Sequence, residues 1–226
     1  MLSPQVFDFL RDLQAHNHKE WMDEHRDRYE AAREEVLSLI DQTLEQMADF
    51  EPVARTLTAR EAILRINRDI RFSKNKDPYK NYFGAIISKG GGHRSSYPDY
   101  YLHLSPEGCF VAGGCYQPDR EALKLIRAHV AGHAPRLRAI LEAPDFRNYF
   151  GELEGETLKT SPRDYPKDHP DLDLLNHLSF AVSHPLSQDL VHSERLVPEV
   201  IHAFQLVQPL IEFLDGALEG AGELSR

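Results

Sequence analysis

DYYLHLSPEGCFVAGGCY, residues 99–116, reads as two strands, 99–105 and 109–116, folded about the turn Pro106-Glu107-Gly108, because Pro and Gly supply the dihedrals of a tight reversal. Upstream lies a Gly/Ser-rich loop, KGGGHRSSYP (89–98), and before it a hydrophobic run, 82–88, that reads as another strand. Residues 62–72 adopt a period of two: Ala62, Leu64, Ile66, Ile70 and Phe72 share one face, and Arg65, Asn67, Asp69 and Arg71 the other. Four strands in succession with no intervening helix predict an antiparallel meander, since parallel neighbours need a long crossover.

Helical patterns flank this region. Ser3 and Pro4 mark the start of a short helix carrying Val6, Phe7, Leu10 and Leu13. Asn17, with Glu20 three residues on, has the form of a capping box. From there Trp21, His25, Tyr29, Val36, Ile40, Leu44 and Met47 keep one stripe inward and predict a single long helix, with Trp21 as a core anchor. After Pro118 helices are expected through 123–141, interrupted at Gly132 and Pro135, and over 144–150. A brief strand at 156–159, a proline-studded loop, SPRDYPKDHPD (161–171), a short helix begun by Pro170 and a last strand at 178–182 follow. A closing helix over 193–218 presents Val197, Val200, Ile201, Phe204, Val207, Ile211 and Leu214 inward. The predicted class is α+β, a central, mostly antiparallel sheet flanked by helices.

The chain is long enough to bury a continuous core, and the absence of a Pro/Gly/Ser linker points to a single domain over 1–226. No apolar run reaches membrane-spanning length and the N-terminus lacks a signal-like apolar segment, so a cytoplasmic protein without a membrane span is expected. The two cysteines, Cys109 and Cys115, fall in one strand. Six extended residues cover about 20 Å, far beyond the roughly 5.5 Å between bridged Cα atoms, so packed, reduced thiols are expected.

Charge is distributed unevenly. The net charge is −10, yet residues 65–94 hold eight Lys/Arg (Arg65, Arg68, Arg71, Lys74, Lys76, Lys80, Lys89, Arg94) against Asp69 and Asp77. The centre of this island is RDIRFSKNKDPYK, residues 68–80. A basic island in an acidic chain attracts anions locally while the whole molecule repels polyanions at range. Strict alternation puts Arg68 among apolar residues, where an unpaired guanidinium costs several kcal/mol. It therefore has a carboxylate partner, or is turned outward by a bulge, or faces a cavity that takes an anion. Arg68, Arg71, Lys74, Lys76 and Lys80 are the candidate anion-binding residues, Arg as a planar fork and Lys as a point charge. Asp69, Tyr79, Tyr101 and His103 are candidates to line the same pocket; Tyr101 and His103 share a strand face, as ordinary surface or core residues also do. The favoured reading is a pocket for a phosphate or carboxylate ligand, in a binding protein or an enzyme; the rival reading makes the motif an ion-paired brace in a non-catalytic interaction protein.

With FDFLRDLQAHNHKEW (7–21) before it and NYFGAI (81–86) and YYLHL (100–104) after it, this motif resembles an uncharacterised, mainly bacterial family catalogued as a domain of unknown function. The similarity runs over residues 6–214 and is most specific at 17–21, 68–80 and 111–116. Met22 stands where the family usually has an aromatic, and Leu178 where a Lys is often found near the last strand. The resemblance implies a fold and a suspect surface, and no reaction or cofactor.

Other chemistries are weaker. His129 and His133 have ligand spacing on a helix, but HVAGH lacks the Glu of HExxH, and DHPDLD (168–173) lacks the spaced acids of an EF-hand and reads better as helix capping, so no metal is expected. The loop at 89–98 matches neither GxxxxGK[ST] nor GxGxxG, and reads as a hairpin tip rather than a phosphate cradle. Arg and Lys interleaved with Phe72, Tyr79, Tyr82 and Phe83 resemble a nucleic-acid surface in composition, but a sequence pI near 5.6 argues against that partner.

Overall fold

In the computed structural model, which describes residues 1–71, 73–90 and 97–223, the chain opens with α1, Pro4–Ala15, burying Val6, Phe7, Phe9, Leu10 and Leu13. Ser3 holds the cap position, but its hydroxyl and its backbone N–H both donate to the Glu35 carboxylate, at 2.7 and 2.9 Å, instead of capping the helix. The expected long second helix is divided into α2, Lys19–Glu24, and α3, Arg26–Met47. His25 marks the break. Its ring Nδ1, 2.9 Å from the Trp21 carbonyl, competes with the backbone for that acceptor, and the ring stacks on Trp21 with 4.2 Å between centroids. Nor does Asn17 cap α2; the Trp21 N–H donates to the His18 ring at 3.3 Å.

A 3-10 turn, Pro52–Arg55, and a single helical turn, α4 (Ala59–Ala62), follow. The period-two segment at 62–72 does not form a strand. Two isolated antiparallel bridges, Ile63 to Ala85 and Asn67 to Tyr79, are what it makes of the expected ladder. From Ile63 to Asn67 the chain advances four residues, whereas from Tyr79 to Ala85 it advances six. That surplus of two, around Asn81 and Tyr82, breaks the register. Phe72, assigned to the end of the expected strand, lies outside the described residues, as do Arg94 and most of the Gly/Ser-rich loop, 91–96.

The hairpin forms as expected. β1 (Phe83–Ile87), β2 (Asp99–Leu104) and β3 (Cys109–Cys115) run in sequence, and both thiols are buried and unbridged. Helix α5, Arg120–Leu141, passes through the expected interruption with a kink at His133 (φ −137°, ψ 25°), two residues before Pro135. After α6 (Pro144–Phe150), the short strand expected at 156–159 reduces to single bridges, Glu154 to Ala181 and Thr157 to His177. α7 (Leu172–Leu175), β4 (Phe180–Leu186), α8 (Gln188–Val191) and α9 (Leu196–Glu223) complete the chain. The sheet is antiparallel with order β1-β2-β3-β4, giving an α+β fold. Among the described residues no helix is long and apolar enough to cross a membrane.

Contacts group the chain into two units: Met1–Ile87, Tyr101–Val111 and Pro185–His202 in one, Ser88–Tyr100, Ala112–His184 and Ala203–Arg226 in the other. In the first, α1 and α3 supply the apolar face of Phe7, Phe9, Leu13, Val36 and Ile40. In the second, the core is built on Val130, Leu137, Phe180, Phe204, Val207 and Phe213.

Gly113 and Gly114 in VAGGCY account for a close approach within the second unit. A Cβ on Gly113 would lie 2.8 Å from a methyl of Val207, and one on Gly114 only 2.1 Å from the Phe180 carbonyl oxygen. Gly114 also has φ +123°, a region that L side chains avoid. Gly114→Ala is expected to cost more than about 2 kcal/mol, since strained backbone adds to displacement of β4. Gly108→Ala, at a position with no atom within 4 Å of the added methyl, should leave the urea-denaturation midpoint nearly unchanged. Equal midpoints for the two variants would contradict the packing described.

Candidate functional site

The residues of the basic motif divide into those bound among themselves and those gathered at the sheet. Asp69 is taken by Arg71: Nε and Nη2 donate to its two oxygens at 2.9 and 2.7 Å, and the Arg71 backbone N–H adds a third bond at 3.3 Å. This contact holds the Asp69 carboxyl well below the usual range, so Asp69 is unsuited to act as a base. Lys76 donates to the Ile70 carbonyl at 3.0 Å, and Lys74 is exposed with no ion-pair partner among the described residues.

Arg68 and Lys80 behave differently. Arg68 is half-buried, its backbone N–H donates to the Pro78 carbonyl at 2.8 Å, and the nearest carboxylate oxygen to its guanidinium, on Asp77, is 4.0 Å away. Lys80 donates to the Arg65 carbonyl at 2.8 Å, an acceptor that leaves the charge uncompensated. Partial burial, with the Arg65 charge nearby, pushes the Lys80 pKa down. The Lys80 ammonium stands 5.6 Å from the Tyr82 ring centroid; burial raises the Tyr82 phenol, and the Arg68 charge opposes that shift.

Tyr82 joins the motif to the hairpin. Its ring lies 4.5 Å from that of His103, which stacks at 4.6 Å on Phe110. The Tyr101 hydroxyl is 2.8 Å from His103 Nδ1. Gly84 makes room for this pair, because a Cβ there would lie 2.9 Å from the Tyr101 oxygen. Burial pushes the His103 pKa down to about 4, with Glu107 opposing the shift. The imidazole is therefore neutral at pH 7, and where Tyr101 donates to Nδ1 the ring carries its own hydrogen on Nε2 and can donate there. Tyr79, the remaining candidate, has a buried side chain.

Asn17 fixes the end of the motif. Its amide Nδ2 donates to the Tyr79 carbonyl and its Oδ1 accepts from the Tyr79 N–H, both at 3.0 Å, as a neighbouring strand would. Sequence periodicity assigned Asn17 to helix capping and gave Tyr82 and Phe110 no place in the pocket. The signal for Asn17 was its position in a motif, NHKEW, whose partner was not evident.

A family model described as conserved hypothetical protein (DUF2461) matches residues 5–213. The chain belongs to that family. Its matched region contains every residue of the candidate site, and its description states no activity. No curated protein and no solved structure matches the chain.

Elsewhere, Lys89 is neutralised by Asp215, at 2.6 Å, and by Glu219, at 3.2 Å, so it does not add to the free positive charge. Asp171 and Asp173, expected to cap a helix, stand at the cap position and in the first turn of α7, where Asp171 makes no side-chain cap bond, and both also clasp the Arg138 guanidinium, at 3.0 and 2.8 Å. His129 and His133 stack on each other at 4.3 Å, with His133 Nδ1 bonded to the His129 carbonyl. Among the described residues no group of three or more His, Cys, Asp or Glu is placed to hold a metal ion.

Two measurements follow from this geometry. Asn17→Ala should cost about 1–3 kcal/mol in thermal or urea denaturation, through two lost bonds to a part-buried backbone; an unchanged midpoint would show that Tyr79 is held by other contacts. A proton NMR titration of His103 should give a midpoint near 4 against about 6.5 for an unfolded chain. The native state then binds fewer protons between those values, so its stability falls as pH drops through that window, and His103→Phe should flatten this part of the profile. A midpoint near 6.5 would contradict the burial of the ring.

Proposed function

We propose that Arg68 and Lys80, with the Tyr82, His103 and Tyr101 cluster, bind a small anion, a phosphate or a carboxylate. The observation that carries this reading is a Lys80 ammonium 5.6 Å from the Tyr82 ring that donates to the Arg65 carbonyl and, among the described residues, pairs with no carboxylate, while Arg68 of the same motif reaches Asp77 only at 4.0 Å. A bound anion would take hydrogen bonds from the guanidinium, the ammonium and the neutral His103 ring, while Tyr82 and Phe110 limit water on one side. Arg71, Lys74 and Lys76 contribute to the local field without closing on the site. The net charge of −10 favours a small ligand over a nucleic acid.

A structural brace is the second reading, favoured by the internal contacts of Arg71 with Asp69, Lys76 with the Ile70 carbonyl and Lys80 with the Arg65 carbonyl. Thermal unfolding in phosphate, sulfate and citrate at constant ionic strength separates the two. For anion binding, the wild type gains stability with ligand concentration, and Arg68→Met and Lys80→Met each weaken the apparent affinity about tenfold or more while remaining folded. For a brace, both variants melt earlier in ligand-free buffer and keep whatever increment the wild type gains.

A further inference from the structure

Helix α5 carries a row of cations where helix physics disfavours them. Arg120, Lys124 and Arg127 are spaced at i, i+4 and i+7 and so lie on one face, where like charges repel. Arg120 also occupies the first turn, where a cation opposes the positive end of the helix dipole. Opposite them is the segment 162–165, closed as a turn by the Tyr165 N–H donating to the Pro162 carbonyl at 3.0 Å, with Arg163 inside the turn. The two walls enclose a cleft of about 460 Å³, within the usual range for a small-molecule site.

Four cations line that cleft against two acids, Glu121 and Asp164. Among the described residues none of the four forms an ion pair with a carboxylate. Arg138, three turns further along the same helix, shows the contrast, since Asp171 and Asp173 saturate it. Arg127 is half-buried and donates Nε and Nη2 to the Leu175 and His177 carbonyls at 2.8 and 3.0 Å. Those bonds fix the plane of the guanidinium, use two of its five N–H groups and leave its charge uncompensated. The Tyr165 hydroxyl supplies a polar group on the facing wall, coupled electrostatically to Arg127. The helix end itself is already used: the Asp119 carboxylate accepts from the N–H groups of Glu121 and Ala122 at 3.0 and 2.9 Å. The cleft therefore depends on side chains.

We propose that this cleft is a second binding site, for a small phosphate-bearing molecule whose oxygens are shared by Lys124, Arg127 and Arg163. A phosphate ester offers close to two negative charges and three acceptor oxygens, which matches several converging cations better than a single carboxylate does. The acidity of the whole chain again selects a small ligand over a polymer.

Calorimetric titration of the full chain with pyrophosphate, AMP and citrate at constant ionic strength tests the assignment. Saturable binding of pyrophosphate or AMP is expected. The double variant Lys124→Met/Arg163→Met, which alters exposed side chains only, should lower that affinity at least about tenfold with no change in melting temperature in ligand-free buffer. Every titration is made in the Arg68→Met/Lys80→Met background, where the site on the sheet is disabled, which keeps the outcome independent of that site. In that background the proposal is overturned by absence of saturable binding of either phosphate compound, by affinity retained once Lys124 and Arg163 are also replaced, or by citrate binding as tightly as the phosphates.

Discussion

The spacing between β3 and β4 at Gly114 governs much of the second unit. A side chain at that position would press into the Phe180 carbonyl, and one at Gly113 into Val207 of α9. Two consecutive glycines thus let a strand and a helix approach the same backbone closely. Phe180, Val182, Phe204 and Val207 are buried around that approach, where dense packing leaves little room for an added methyl. The cost is strand propensity, since glycine has no side chain to pack. That is why VAGGCY looks weak as a strand by composition while forming part of one.

Charge follows a comparable division. The island at 65–94 loses Lys89 to acids on α9 and Arg71 to Asp69, so its formal surplus overstates the charge available to a ligand. Among the described residues, those left without a close carboxylate include Arg68 and Lys80 and also Lys74 and Lys76. Of the two acids that hold Lys89, Asp215 is buried, at 4% exposed, and Glu219 is exposed; on β2, burial lifts the Asp99 pKa to about 7. Burial, and after it the Asp99 and Asp215 charges, raise the Cys115 thiol, which leaves it a poor nucleophile near neutral pH. A positive count in a sequence segment is therefore only an upper bound on what a ligand would meet.

Patterns with a local cause were legible in the sequence. Pro4 and Pro144 open helices, Pro106-Glu107-Gly108 turns the hairpin, and alternation in β2 buries Tyr100, Leu102 and Leu104 while leaving Tyr101 and His103 half-exposed. Patterns decided by a distant partner were not. Nothing in periodicity foretells that six residues lie opposite four and break the strand at 62–72, or that the His25 ring captures a helical carbonyl. Of the candidate site, Arg68, Lys80, Tyr101 and His103 do gather, but the ring that joins them, Tyr82, sits within the register surplus that alternation could not anticipate. The cationic row on α5 was hidden because an i, i+4, i+7 set of Lys and Arg reads as a solvated face until the loop opposite it is known.

The broken segments at 63–67 and 154–157 have one further effect. β1 and β4 are the outer strands, and each is met by one of these segments through a single bridge, Ile63 to Ala85 and Glu154 to Ala181. The Gly84 and Ala181 carbonyls are consequently engaged by the N–H groups of Leu64 and Glu154, both at 2.8 Å. Bare margins of a sheet are templates for runaway stacking between molecules. Here irregular chain, too poorly registered to extend the ladder itself, serves as a selvedge that blunts such growth.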